Sequence, residues 1–273
     1  MSGVVNVNRI SLNQITTENW SLREAIDGCV RNEIPTISVW RHKISEVGLK
    51  ESKKMIKESG LGVSSVCRGG MFPALTASER VQRIDDNKRA IEEAAELGTD
   101  VLVLVCGAAP DKNLPESRKW VQEGIETLIP FAEQHKVKLG IEPLHPMYAA
   151  DRSVITTLGE ANALQNSLAS SQVGVIVDVF HVWWDPFLYQ EIENARGNIL
   201  GFHVSDWKVP LPDIFKGRSM MGDGVIEIPR IRQAVEENDY HGPIEVEIIN
   251  QDIWDMPGDE TLKLMKKSFV EHV

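Results

Sequence analysis

A positive surplus is what this chain most plainly lacks. Its 29 Lys and Arg stand against 40 Asp and Glu, for a formal net charge of −11. That balance argues against nucleic acid or an anionic membrane surface as the main partner. Cysteine is nearly absent as well. Cys29, Cys67 and Cys106 are odd in number, far apart and outside CxxC spacing. They exclude a disulfide framework and read as reduced core residues of a cytoplasmic protein. No apolar run approaches the ~18 residues of a membrane span. The opening "MSGVVNVNRISLNQ" has no basic stretch followed by a long apolar one, so no secretory signal is expected. Neither GxGxxG nor GxxxxGK(S/T) follows any apolar run, which disfavours a doubly wound nucleotide-binding sheet.

What the chain does have is one alternation, repeated. Short apolar runs fall at 9–14, 36–40, 63–69, 101–107, 138–145, 173–181, 199–207 and 243–250. Most are nearly continuous in Val, Ile and Leu, as parallel strands covered on both faces should be. Amphipathic stretches separate them. In the third, Thr76 and Glu79 form a capping box and Val81, Ile84 and Ile91 supply an apolar stripe before Gly98. The second ends at Gly60, and the last puts Leu262, Met265 and Phe269 on one face. A short helix is expected around 189–196. Eight β-then-α units with no linker between them imply a single-domain α/β fold over 1–273, a closed (β/α)8 TIM barrel.

Such a barrel places its chemistry at the C-terminal ends of the strands. The fifth run delivers Glu142 and then His145, and the sixth delivers Asp178 with His181 just beyond. The seventh delivers His203, and the eighth carries Glu245 and Glu247 on a shared face. Carboxylates gathered this closely repel one another unless a cation neutralises them. One divalent metal bound by Glu142, Asp178, His203 and Glu247 resolves that conflict. Three oxygens and one imidazole suit Mn²⁺ first, with Mg²⁺, Co²⁺ or Zn²⁺ as alternatives. Glu247 lies nearer the mouth than Glu245, which reads as a support or ion-pair residue. Asn13, Gln14, Trp40, Arg41, His42 and Arg68 follow the first three strands and suggest a polar, aromatic wall at the mouth. Arg218 would hold a substrate oxygen or a phosphate, or pair with Asp223, while Asp206 and Asp223 read as loop hydrogen-bonders. Trp183 and Trp184 read either as pocket wall or as a contact in a homo-oligomer.

The segments "IEPLH", "VDVFH", "GFHVSD", "GRSMMGDG" and "YHGPIEVEII" resemble the sugar phosphate isomerase/epimerase family of xylose-isomerase-like barrels, over nearly the whole chain. Its members include ketose 3-epimerases, hydroxypyruvate isomerase and inosose dehydratase. The resemblance implies a metal-dependent isomerase or epimerase acting on a small-molecule sugar through an enediolate. It implies that Glu142, Asp178, His203 and Glu247 bind the metal, that Glu142 and Glu247 exchange the substrate proton, and that His181 and Arg218 contact sugar oxygens. One position departs from the pattern: His145 stands where the epimerases often carry Asn. A histidine there can serve as a further catalytic acid or base, which leaves open a lyase cleaving a 3-keto-glycoside by β-elimination. A non-catalytic sugar-binding barrel and an apurinic-site endonuclease are the remaining alternatives.

Overall fold

A computed structural model describes residues 5–273; residues 1–4 of the expected 1–273 domain lie outside it. Eight parallel strands close on one another in the order β1-β10-β7-β6-β5-β4-β3-β2. They are β1 (Ile10–Asn13), β2 (Thr36–Trp40), β3 (Gly62–Gly70), β4 (Val101–Val105), β5 (Lys138–Glu142), β6 (Val173–Asp178), β7 (Ile199–Val204) and β10 (Ile244–Val246). A two-stranded antiparallel ribbon, β8 (Asp206–Trp207) with β9 (Arg218–Ser219), stands above β7. Helices alternate with the barrel strands, so the expected (β/α)8 barrel is the one observed.

Alternation along each strand sorts its side chains into two layers. Leu102 and Leu104 of β4 belong to the large cluster between strands and helices, whereas Val101 and Val103 join Cys67 and Ile176 in a separate one. On β5, Leu139 and Ile141 pack in the large cluster, which leaves Gly140 and Glu142 on the other face. The same parity puts Ile176 and Asp178, Gly201 and His203, and Glu245 inside. Gly140 is needed there: a Cβ would sit 2.6 Å from Ile176 Cδ1.

The helix at 77–97 begins at the expected Thr76–Glu79 capping box and stops at Gly98 in the left-handed conformation. Its buried stripe is Asn87, Ala90, Ile91, Ala94 and Leu97. Val81 is exposed, because the stripe begins only with the third turn, and this corrects the expectation for that residue. Asn87 spends its amide on the strand end: Oδ1 accepts from Gly70 N at 2.6 Å and Nδ2 donates to Gly70 O at 2.8 Å. Gly60 caps the helix at 49–59, and Leu262, Met265 and Phe269 are fully buried on the last helix. The short helix after β6 spans 188–194.

Four strands, β5, β6, β7 and β10, stop three or four residues before the end of the apolar runs that predict them, and the remainders become mouth loops. The turn after β3 shows how tightly one is held. Gly70 has φ 101°, and a Cβ there would lie 2.0 Å from the Val105 carbonyl oxygen. Gly70→Ala is therefore expected to cost about 2–3 kcal/mol, from the unfavourable dihedral and the clash together. A drop in the thermal midpoint measures it; an unchanged midpoint would show that the turn relaxes freely.

Candidate functional site

Register explains why the acidic groups meet. Asp178 on β6 pairs with His203 on β7, and His203 pairs with Glu245 on β10, so three adjacent strands present them at one level. Glu247 lies two residues further on, on the same face. Glu142 ends β5, beside β6. One ligand atom from each of Glu142, Asp178, His203 and Glu247 lies within 4.8 Å of the others, and all four residues are buried.

The charges inside this cluster are unevenly matched. His203 Nδ1 lies 3.2 Å from Glu142 Oε1 and 3.4 Å from Glu247 Oε2, while its Nε2 lies 3.2 Å from Glu245 Oε2. None of these approaches is aligned as a hydrogen bond, so Glu142 Oε1 and both imidazole nitrogens are buried without one. Burial works against the imidazolium, yet Glu245, Glu142 and Glu247 outweigh it and hold the proton on His203. Burial pushes the Glu142 carboxyl above the usual carboxylate range; His203 opposes this and the Glu247 charge adds to it. Burial acts the same way on Glu247, but the Arg218 guanidinium outweighs it and holds that carboxyl low.

Among the described residues, Arg218 is the guanidinium that pairs with these acids. Its Nη1 donates to Asp178 Oδ2 at 2.7 Å and to Glu247 Oε2 at 3.3 Å, and its Nη2 lies 3.0 Å from His181 Nε2. The expected alternative partner, Asp223, pairs instead with Lys208 at 3.5 Å. Burial lowers His181 to about 3, so its ring is neutral and turns an unpartnered Nδ1 toward its surroundings. Glu245 is held from below: it accepts from Ser64 and Ser65 hydroxyls at 2.8 and 2.7 Å and from Asn13 Nδ2 at 3.1 Å. Its carboxylate faces the imidazole side away from the other acids, as a residue fixing the orientation of His203 would.

This donor set fits a divalent cation. Buried carboxylate and imidazole atoms without hydrogen bonds are costly unless a charge satisfies them, and one ion would meet all four groups at once. Above the cluster a cavity opens, lined by Glu142, His181, Arg218 and Glu247 together with Trp40 and Arg68. Those six were expected at a substrate or catalytic site. Asn13 is fully buried behind the wall, where its Oδ1 accepts from Trp40 Nε1 at 2.7 Å.

Two more expected residues also stand outside the cavity. His42 is outside the lining, 3.2 Å from Glu18 and about half exposed on the helix that follows β2. His145 is also outside the lining; its ring lies between Trp184 and Trp207, at 5.4 and 5.1 Å. The Met147 N–H donates to His145 Nδ1, and burial lowers its pKa. Arg41 is turned onto Asp86 and Glu93. Trp184 donates to the His181 carbonyl and Trp183 packs against Trp207, so both tryptophans brace the loop rather than line the cavity. Tyr148, Arg152 and Phe215 do line it, and the sequence reading passed over them. The only available signal was that Tyr148 and Arg152 share the "EPLHPMYAADR" loop with His145.

Comparison with known proteins agrees with this picture. A family model described as xylose isomerase-like TIM barrel matches residues 28–268. An L-ribulose-5-phosphate 3-epimerase of Salmonella paratyphi A is 25% identical over 199 residues, covering 71% of this chain and 66% of that protein. An inosose isomerase of Halalkalibacterium halodurans is 22% identical over 97% of this chain and 96% of its own. The crystal structure of a protein from Sinorhizobium meliloti 1021 superposes with a TM-score of 0.95 at 43% identity, covering 98% of this chain and 99% of the other. No helix among the described residues is long and apolar enough to cross a membrane.

Proposed function

The chain belongs to the xylose isomerase-like TIM barrel family, and on that basis we propose that it is a divalent-metal-dependent isomerase or epimerase of a ketose or keto-sugar. The observation that carries the proposal is the pairing of Glu142 and Glu247. They are two buried carboxyl groups from different parts of the barrel wall, both within 3.4 Å of the same imidazole nitrogen and both lining one cavity. The curated relatives, an epimerase and an isomerase by name, support the same reaction class.

Glu142, Asp178, His203 and Glu247 would hold the metal, with Mn²⁺ the first expectation. When bound, the ion would supply the positive charge that makes a proton beside a carbonyl acidic enough to remove at neutral pH. The chain's own residues divide the remaining work. Glu142 and Glu247, buried carboxyls from different parts of the barrel wall that line one cavity, would exchange the substrate proton, one removing it and the other returning it. His181 and Arg218 face the cavity as a fixed pair and offer hydrogen bonds to sugar hydroxyls.

Solvent-deuterium exchange into a panel of ketoses, with Mn²⁺ present, tests the reading. Exchange at the carbon next to the carbonyl is expected; its absence across the panel would remove the enzymatic proposal. His145→Ala separates isomerase from lyase. Because His145 sits outside the cavity lining, exchange in this variant is expected to stay within about tenfold of the parent. A loss of 10²-fold or more, the usual worth of a general acid or base, would favour the lyase.

A further inference from the structure

We infer that the substrate carries an anionic group, a phosphate ester or a carboxylate, held by Arg68 and Arg152 at the rim of the cavity. The inference rests on the isomerase reading only for the identity of the rest of the molecule, a keto-sugar.

Two guanidinium groups share this rim. Arg68 and Arg152 line both the central cavity and the shallower pocket that continues from it past Met71 and Val105. Arg68 makes no hydrogen bond or ion pair among the described residues. The Arg152 guanidinium lies over the Phe215 ring at 4.1 Å and beside Tyr148 at 5.6 Å, and its buried Nε has no hydrogen-bond partner. Among the described residues its one ion-pair partner is the exposed Asp151, 4.0 Å away, which also lines the second pocket.

That vacancy is unusual within this molecule. Acid exceeds base by 40 to 29, and other half-buried or buried arginines are matched closely. Arg41 lies 2.8 Å from Asp86, Arg118 lies 2.6 Å from Glu160, and Arg218 lies 2.7 Å from Asp178. Placing two positive groups in one concavity costs energy through their mutual repulsion. Planar, fixed guanidinium groups are suited to phosphate and carboxylate oxygens, which they meet with paired hydrogen bonds.

The backbone segments that carry the two side chains are also pre-positioned. The turn after Arg68 is fastened to β4 by the Met71 N–H, which donates to Val105 O at 2.8 Å. The loop of Arg152 is fastened to the segment just beyond β4 by a bridge between Ser153 and Gly107, with Val154 N donating to Gly107 O at 2.9 Å. Both backbone segments are thus fastened at the end of β4 or just beyond it. The ordering cost of bringing them together has been met during folding, which favours affinity for an anion. The interior cluster is occupied by acids and Arg218, so the anionic end of the substrate belongs at the rim and the carbonyl end at the floor.

The test uses the Mn²⁺-loaded protein with ribulose, ribulose 5-phosphate and fructuronate, and inorganic phosphate as a separate probe. At least one charged sugar is expected to show a KM tenfold or more below that of ribulose. Whether the phosphate ester or the carboxylate is preferred identifies the anion. Inorganic phosphate should bind saturably by calorimetry, weakening as salt is raised. In the Arg68→Gln/Arg152→Gln variant the charged-to-neutral preference should fall toward unity and phosphate binding should disappear. Equal use of neutral and charged sugars by the parent, or a preference that survives in the variant, would overturn the inference. Should the double variant not fold, phosphate binding and sugar preference in the parent decide alone. Phosphate binding without exchange on any sugar would sink the isomerase reading and leave the anion site standing. Exchange on ribulose without phosphate binding would do the reverse.

Discussion

Glu142→Gln is expected to abolish turnover while leaving the barrel folded. The substitution keeps the size of the side chain and removes only its charge and its proton. Both matter here, because Glu142 faces His203 and Glu247 and lines the cavity as well. Loss of a proton-transfer group costs about 10²–10⁴-fold in rate, and loss of one ligand from a four-residue set weakens metal binding in addition. A fall in exchange of at least 10³-fold is expected, together with at least tenfold weaker Mn²⁺ binding by calorimetry. Stability in the metal-free protein should hold or rise, since one member of a repelling group of buried acids has been neutralised. Full exchange activity in this variant would sink the site assignment as a whole.

Arg218→Leu should act in the opposite sense, on stability before activity. The guanidinium is buried and donates to Asp178 and Glu247, and no other basic group among the described residues reaches Asp178 as closely. Removing one partner of a buried ion pair leaves its mates uncompensated and costs about 3–5 kcal/mol. For a domain of this size that corresponds to a fall of roughly 6–20 °C in thermal midpoint when measured in chelator. Addition of Mn²⁺ should recover much of the loss, because a ligand that binds only the folded state stabilises it by mass action. A midpoint unchanged in chelator would mean that the acids are neutralised some other way. A midpoint that Mn²⁺ does not raise would argue against a cation site among them.

Most of this arrangement was legible from strand alternation. On a strand, residues two places apart share a face and immediate neighbours take opposite ones. Glu142, Asp178, His203 and Glu247 could therefore be placed together, while Glu245 was set apart by its depth, two residues further from the mouth. What alternation cannot supply is the path of a loop. His42 follows β2 and was expected at the mouth, but the helix beginning at Arg41 carries it onto Glu18 instead. His145 left the cavity because its ring is taken up by Trp184 and Trp207. Arg152, seven residues later, entered because Ser153 is fastened beyond β4. Phe215 was out of reach for the same reason, since the excursion from β8 to β9 has no periodicity to read. Val81 shows the matching limit for helices: an apolar residue in the right phase is still exposed when its turn lies outside the packed part of the helix.

The register that aligns Asp178, His203 and Glu245 across β6, β7 and β10 also sets where related chains are free to diverge. Inserting or deleting one residue within any of these strands would swing its acid or imidazole to the opposite face, so lengths there are frozen. Length changes must accumulate instead in the segments beyond the strand ends, which tolerate them. Descendants of such a barrel would keep the cluster at its floor and vary the molecules that reach it.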